Sequence, residues 1–167
     1  MVRESFLHSW EGYKQHAWLQ DEVTPLYGTY NNGFGGWGAT LVDTLDTLWI
    51  MGLKKEFVVV LAALKKINFS STPLDTVNVF ETTIRYLGGF LSAYDISGAK
   101  YPALLEKAVE PGEMLCVAFD TPNQIGLLSL EFTRLSRLSG DHKYYDAVQR
   151  ISDVSEHQQN KTKIPGI

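Results

Sequence analysis

Residues 39–67, ATLVDTLDTLWIMGLKKEFVVVLAALKKI, decide the fold, because one helical pattern ends there at a glycine and a second begins at once. The first run, 39–51, is apolar around most of its circumference, whereas the second, 54–67, carries lysines and a glutamate on one side. Gly52 stands where a helix C-cap favours a left-handed residue. The stretch therefore predicts an αα-hairpin with an inner and an outer helix.

The same unit occurs twice more, with Gly98 and Gly140 in the place of Gly52 at spacings of 46 and 42 residues. The second unit pairs NVFETTIRYLGGFLSAYDISG with YPALLEKAVEPGEML, and the third pairs IGLLSLEFTRLSRLSG with DHKYYDAVQRISDVSEHQ. A repeat of hairpins predicts a layered ring or solenoid in which the first helices are inner. We expect an all-α fold with residues 1–167 in one domain.

Three further segments carry local expectations. Residues 3–19 have an aromatic stripe at helical spacing and predict an amphipathic helix. Residues 28–38, GTYNNGFGGWG, contain five glycines and predict a loop without regular structure. Pro111-Gly112 interrupts the second outer helix, and because an interior proline costs roughly 3 kcal/mol we expect a break or kink there.

Composition and charge exclude several classes of function. The chain has a net charge of −4 and no run of Lys and Arg, which argues against a nucleic-acid partner. The N-terminus, MVRESFLHSW, has neither a basic region nor a continuous apolar region, so we expect no targeting segment in this chain. Asn68-Phe69-Ser70 and Asn160-Lys161-Thr162 fit the N-glycosylation rule, which matters only in a secretory compartment.

Four charged residues stand on the two most apolar helical runs. Asp43 and Asp46 lie on the first inner helix, and Glu81 and Arg85 lie on the second. Charges on such helices need partners, because an unpaired buried charge is very costly. If the inner helices line one surface, these side chains project toward a common region, and an acidic pocket of this kind suits glycoside hydrolysis.

The same residues have simpler interpretations, which stay open at this point. Asn78 followed three residues later by Glu81 fits a capping-box variant. Glu81 and Arg85 also fit a surface ion pair worth about 0.3 to 0.5 kcal/mol. Thr40 followed by Asp43 fits the start of a helix.

Five ordered blocks resemble the N-terminal part of the class I α-1,2-mannosidases, glycoside hydrolase family 47, over nearly the whole chain. The blocks are FLHSWEGYKQHAWLQDEVTPL, GGWGATLVDTLDTLWIMGL, VNVFETTIRYLGGFLSAYDISG, AFDTP and LEFTRLSRLSGDHKYYDAVQRI.

The resemblance implies an α/α toroid of seven helical hairpins, of which this chain carries about three. It also implies a calcium ion at the base of the pocket and inverting removal of α-1,2-linked mannose from high-mannose N-glycans in the endoplasmic reticulum or Golgi. Membrane attachment is implied only through an N-terminal anchor, which we do not expect to find in this chain. By resemblance Glu81 is the catalytic general acid, Arg85 contacts the sugar, and Asp43 and Asp46 lie near the pocket wall.

The sequence also departs from the family pattern. Gly126 runs directly into Leu127, where the family has a pocket loop with a further acidic residue. The family's catalytic base, its remaining acidic pocket residues and its calcium-binding Thr-x-Glu element are not recognisable, so we expect no metal ligands here and no activity from this chain alone. A non-catalytic glycan-binding fragment and a helical-repeat interaction scaffold are the rival interpretations.

An incomplete ring of hairpins leaves one side of the last hairpin uncovered. We expect this open edge to present Leu127, Leu128, Leu130 and Phe132 to water. A contiguous apolar surface of this kind favours self-association.

Overall fold

The computed structural model of the chain describes residues 1–117 and 129–159. None of the helices in this described part is both long and apolar enough to cross a membrane. The helical elements are α1 Val2–His16, α2 Ala39–Asp43, α3 Leu45–Ile50, α4 Lys54–Leu64, α5 Val79–Thr82, a π-helical turn Thr83–Leu87, α6 Gly88–Ile96, α7 Pro102–Cys116, α8 Ser129–Ser139 and α9 Lys143–Gln159. Two short strands, β1 Glu22–Thr24 and β2 Thr29–Asn31, form an antiparallel hairpin.

The three predicted helical hairpins are confirmed. Gly52, Gly98 and Gly140 follow α3, α6 and α8 with φ values of 71°, 68° and 75°, a left-handed conformation that favours glycine. At the first of these turns the Leu53 N–H donates to the Leu48 carbonyl at 2.9 Å, which satisfies a carbonyl that the helix end leaves unpaired. The chain therefore reverses direction at each glycine.

The first helices of the hairpins form the inner layer, as predicted. α3 contacts α6 and α6 contacts α8, while α4, α7 and α9 each pack against the inner helix that precedes them. The inner layer is tight at Gly89, where a Cβ would lie 2.9 Å from Val42 Cγ1 and 3.1 Å from the Val42 carbonyl oxygen. Fully buried side chains between the layers include Leu41, Leu45, Leu48, Phe57, Leu87, Phe90, Leu104 and Leu115.

Of the break or kink expected at Pro111-Gly112, the break is wrong, because α7 continues through both residues to Cys116. Both residues are buried. A Cβ at Gly112 would lie 2.5 Å from Leu135 Cδ2 and 3.4 Å from Tyr144 Cε1, so the bare glycine lets α7 pack closely against α8 and α9. Burial of Pro111 and the close packing at Gly112 stabilise the helix despite the missing N–H donor.

The expectation of an irregular segment at 28–38 is wrong for its first residues. Thr29–Asn31 form β2, with Tyr30 opposite Val23 of β1. β-Branched and aromatic residues favour the extended conformation, and the Thr24 and Thr29 hydroxyls lie 2.6 Å apart across the pair. Residues 33–38 stay irregular, as predicted.

The predicted open edge of the third hairpin is only partly present. Leu130 is 80% exposed, in agreement with the prediction, but Phe132 is fully buried and its ring lies 6.0 Å from that of Tyr144. Two residues along a helix correspond to roughly 200° of rotation, so Phe132 faces α9 rather than water. Leu127, Leu128 and the Gly126 connection lie outside the described residues.

Candidate active site

Arg85 joins two of the predicted carboxylates into one cluster. Its Nε donates to Glu81 Oε2 at 2.8 Å and its Nη1 donates to Asp43 Oδ2 at 2.8 Å. The three side chains are 32%, 29% and 37% exposed in the order Arg85, Glu81, Asp43. Helix α2, helix α5 and the π-helical turn after α5 thus hold three charged groups together on a surface that water reaches.

The capping interpretation of Glu81 is correct only for the backbone. Asn78 Oδ1 accepts from the Glu81 N–H at 3.1 Å, so Asn78 is the N-cap of α5. Within residues 1–117 and 129–159, the Glu81 carboxylate makes no return bond to the Asn78 N–H and binds Arg85 instead. The Glu81 side chain is therefore not used for capping.

The helix-start interpretation of Asp43 is wrong. α2 begins at Ala39 after Gly38, and the Thr40 hydroxyl donates to the Asp21 carbonyl at 2.6 Å rather than capping the helix. Asp43 is the last residue of α2, and its carboxylate binds Arg85.

Arg85 lies in the π-helical turn Thr83–Leu87, which follows directly after α5. The sequence pattern predicted an uninterrupted α-helix here, and such single π turns occur frequently at functional sites. The guanidinium lies 4.4 Å from the centre of the Phe34 ring, a distance that allows a cation–π contact. Phe34 belongs to the glycine-rich loop, so that loop supports Arg85.

The charges in the cluster shift one another's pKa values. Burial raises the pKa of the Asp43 carboxyl above its ordinary value, although the hydrogen bond and charge of Arg85 oppose that rise. Burial alone would lower the pKa of Arg85, but the hydrogen bonds and charges of Asp43 and Glu81 outweigh it and raise the pKa. Arg85 is thus held as a cation beside a carboxyl that is more readily protonated than usual.

Asp46, the fourth predicted residue, is separate from this cluster. Its Oδ2 accepts from the Ser92 hydroxyl at 2.9 Å and its Oδ1 accepts from the Thr47 hydroxyl at 3.3 Å. It therefore lies on the same inner wall as Asp43, one helical turn further along, and its partners are neutral.

Asp21 is a buried residue of the site region that the sequence reasoning did not identify. It is 0% exposed, and its Oδ2 accepts from the backbone N–H groups of Phe34 and Gly36 at 2.8 Å each. Its Oδ1 accepts from the Ala39 N–H at 3.2 Å. One aspartate therefore fixes the irregular loop that carries Phe34.

Tyr86, in the π-helical turn Thr83–Leu87, connects this buried aspartate to the loop. The fully buried Tyr86 hydroxyl lies 2.8 Å from the Phe34 carbonyl and 3.1 Å from Asp21 Oδ1, so its one proton is donated to either oxygen. Burial and the neighbouring Asp21 charge raise the pKa of Tyr86 above its ordinary value. No local sequence signal marks Asp21, because its N–H donors lie 13 to 18 residues further along the chain.

Glu131 on α8 was also missed. Its Oε2 is buried, with no hydrogen-bond partner in the part of the chain that the structure describes. Its Cγ lies near Gly88, 3.9 Å from where a Cβ would stand, on the helical turn after Arg85. One turn further, Arg134 binds both carboxylate oxygens of Asp95 at 2.7 and 2.9 Å. The polar surface therefore continues along α6 toward the third hairpin.

The described residues do not fit a calcium ion. Calcium takes six to eight oxygen ligands, whereas residues 1–117 and 129–159 contain no group of three or more acidic, histidine or cysteine side chains placed to hold a metal. Asp43 and Glu81 are paired with Arg85, and Asp46 is hydrogen-bonded to hydroxyls.

The arrangement leaves reactive atoms free on its open side. Within the described residues Glu81 Oε1 and Arg85 Nη2 have no hydrogen-bond partner, while Glu81 Oε2 and Arg85 Nε are bound to each other. A carboxyl oxygen held at one position and free at the other can carry a proton to a ligand. The free guanidinium N–H groups can donate to hydroxyls of the same ligand.

Comparisons with known proteins identify relatives of this chain. The profile described as Glycosyl hydrolase family 47 matches residues 5–127 and 123–167. A protein of Aspergillus clavatus named "Probable mannosyl-oligosaccharide alpha-1,2-mannosidase 1B" is 36% identical over 197 aligned positions that cover 98% of this chain. A human protein named "Endoplasmic reticulum mannosyl-oligosaccharide 1,2-alpha-mannosidase" is 39% identical over 90% of this chain.

A solved structure agrees with the sequence comparisons. The α-1,2-mannosidase from Trichoderma reesei superposes with a TM-score of 0.85 at 31% identity, over 92% of this chain and 39% of its own. The chain spans 38% of the length of the Aspergillus relative and 25% of the human one. The alignment with the Aspergillus relative has more positions than the 167 residues of this chain, so that relative contains residues that this chain lacks. Because this profile matches nearly the whole chain, the chain belongs to glycosyl hydrolase family 47.

Proposed function

We propose that this chain supplies the acid-bearing wall of an α-1,2-mannosidase active site, in a hydrolase that removes α-1,2-linked mannose from N-glycans with inversion. Glu81 is the general acid and Arg85 binds sugar hydroxyls. The observation that carries the proposal is the Glu81 carboxylate, which is 29% exposed and is held by Arg85 through Oε2, while Oε1 has no partner in the described part of the chain. The names of the relatives supply the substrate class.

The acid step follows from this geometry. Protonated Glu81 gives its proton to the bridging oxygen as the bond from that oxygen to the mannose C1 breaks, and a water attacks C1 from the opposite face. Inversion needs a second carboxylate about 6.5 to 9.5 Å from the acid to take the proton of that water. Asp43 is bound to the same guanidinium as Glu81, so the two carboxylates lie side by side on one wall, whereas the base must act on the face of the sugar opposite the acid. The base therefore comes from other residues.

The proposed location is the endoplasmic reticulum or Golgi, because the human and rat relatives are named for the endoplasmic reticulum. The proposed substrate there is a high-mannose N-glycan. A calcium ion, which the family resemblance implies, would need ligands beyond the described residues of this chain.

A chimera tests the role of this chain within a complete ring of hairpins. In the chimera, residues 1–117 replace the matching part of the Trichoderma reesei enzyme, so the acid wall comes from this chain and the rest of the ring from the relative. We expect this 1–117 chimera to release mannose from an α-1,2-linked dimannoside. A chimera that melts cooperatively but leaves the dimannoside intact would contradict the proposal.

The 167-residue chain by itself tests the rival interpretations. We expect no mannose release from it, since Glu81 lacks a partner base in the described residues. Weak binding of the dimannoside, measured by calorimetry and lost in Arg85→Ala, would support the acid-wall assignment. A chain that binds no glycan but captures a protein through its outer helices would favour the interaction scaffold.

A further inference from the structure

The loop between α4 and α5 presents an asparagine that the proposed activity does not use. Asn68 starts the sequence Asn68-Phe69-Ser70, which satisfies the acceptor rule for N-glycosylation. Asn68 and Ser70 are exposed, whereas Ile67 and Phe69 are only 7% and 5% exposed. The alternation turns the acceptor side chain to solvent and its neighbours to the core.

The backbone on both sides of Asn68 is held in place. Lys107 Nζ donates to the Ile67 carbonyl at 2.5 Å, and Trp37 Nε1 donates to the Ser71 carbonyl at 2.7 Å. The Phe69 ring packs against Trp37 with centroids 5.1 Å apart. A substituent on Asn68 therefore leaves these core contacts in place.

The reactive atom of Asn68 is free. Its Oδ1 accepts from the Ser70 N–H at 3.0 Å and from the Ser70 hydroxyl at 2.7 Å, while Nδ2 has no partner within the described residues. Asn68 lines an open cleft of about 640 Å³ together with Phe69 and Met114. Neither Glu81 nor Arg85 lines this cleft, so a glycan here has space outside the proposed active site.

We propose that Asn68 is an N-glycosylation site of this protein. Nδ2 forms a bond to the anomeric carbon of an oligosaccharide carried on a polyprenyl diphosphate. The bond from that carbon to the diphosphate oxygen breaks, the lipid diphosphate leaves with the electron pair, and Nδ2 gives one proton to a base of the transferase. The inference rests on the secretory location within the proposed function, because the donor lipid and its transferase act in that compartment.

The test supplies the location, so its result does not depend on the mannosidase proposal. The 167-residue chain is expressed in eukaryotic cells behind a cleavable secretion signal, with Asn160→Gln to remove the second acceptor sequence. Chain whose signal has been cleaved is then mapped by mass spectrometry. We expect a glycan on the peptide that contains Asn68, with none in Asn68→Gln or Ser70→Ala and occupancy retained in Ser70→Thr.

The folded placement is tested on the same material. We expect a peptide N-glycanase to remove the glycan under native conditions, leaving aspartate at position 68, because the side chain is exposed. Unmodified Asn68 in signal-cleaved chain would overturn the inference. Release of the glycan only after denaturation would overturn the exposed placement on which it depends.

Discussion

Two carboxylates of the site region, Asp21 and Glu81, contrast sharply. Asp21 is fully buried, and its carboxylate accepts from three backbone N–H groups with the Tyr86 hydroxyl also in reach. Glu81 is 29% exposed, with one oxygen bound to Arg85 and the other without a hydrogen-bond partner among the residues that the structure describes. A saturated carboxylate without access to water fixes structure, whereas an exposed and half-saturated one can exchange a proton with a ligand.

The two carboxylates are nevertheless linked. Asp21 holds the Phe34 N–H, the Phe34 ring lies against the Arg85 guanidinium, and Arg85 holds Glu81. The contrast therefore predicts that changes at Asp21 act mainly on stability, while changes at Glu81 and Arg85 act mainly on the ligand.

The largest expected stability effect is that of Asp21→Asn. The amide would turn an N–H₂ group toward backbone donors, and each unsatisfied buried group costs about 1 to 3 kcal/mol, so we expect the free energy of unfolding to fall by about 2 to 5 kcal/mol. Urea unfolding followed by circular dichroism measures it. Asp75→Asn, at an exposed loop position, is the matched control and should change little. Equal effects of the two substitutions would contradict the structural role of Asp21.

The next effect is that of Arg85→Ala in the 1–117 chimera. A guanidinium donates several fixed hydrogen bonds, each worth about 1.5 to 3 kcal/mol when charged, so loss of one or two to sugar hydroxyls should raise KM roughly 10- to 100-fold. Arg85→Lys should restore only part of this, since an ammonium lacks the planar fork. Arg3→Ala, on the exposed face of α1, serves as the control. An unchanged KM in Arg85→Ala would mean that Arg85 forms only structural ion pairs and does not bind the sugar.

The smallest effect expected is that of Tyr86→Phe. The substitution removes one buried hydroxyl proton shared between Phe34 and Asp21, so the free energy of unfolding should fall by about 0.5 to 1.5 kcal/mol. Tyr94→Phe removes a hydroxyl that has no hydrogen-bond partner among the described residues, and it should be nearly neutral. A larger loss for Tyr94→Phe than for Tyr86→Phe would mean that the network around Asp21 contributes little.

Local sequence signals predicted the hairpins and the cluster of Asp43, Glu81 and Arg85. Apolar periodicity and the glycines at 52, 98 and 140 predicted helices and turns correctly, because both depend on residues close together in the chain. Glu81 and Arg85 were paired through their spacing of four residues, and the contact at 2.8 Å agrees with it. Asp43 was placed near them because both inner helices were predicted to share one surface.

Features that depend on distant partners were missed or mispredicted. Asp21 acquires its role from N–H groups 13 to 18 residues away and from Tyr86, 65 residues away, which no local pattern reveals. Pro111 remains in a continuous helix because α8 and α9 cover the adjacent glycine. Phe132 is buried because α9 packs over it. In each case tertiary packing outweighs local propensity.

Glu81→Gln in the 1–117 chimera tests the central claim most directly. The substitution keeps the shape of the side chain but removes the proton that the leaving oxygen needs, so kcat for the α-1,2-linked dimannoside should fall by about 10²- to 10⁴-fold while KM changes little. Glu106→Gln, the same chemical change at an exposed position on α7, should leave kcat unaltered. A Glu81→Gln chimera that hydrolyses the dimannoside at the parent rate would show that Glu81 is not the general acid.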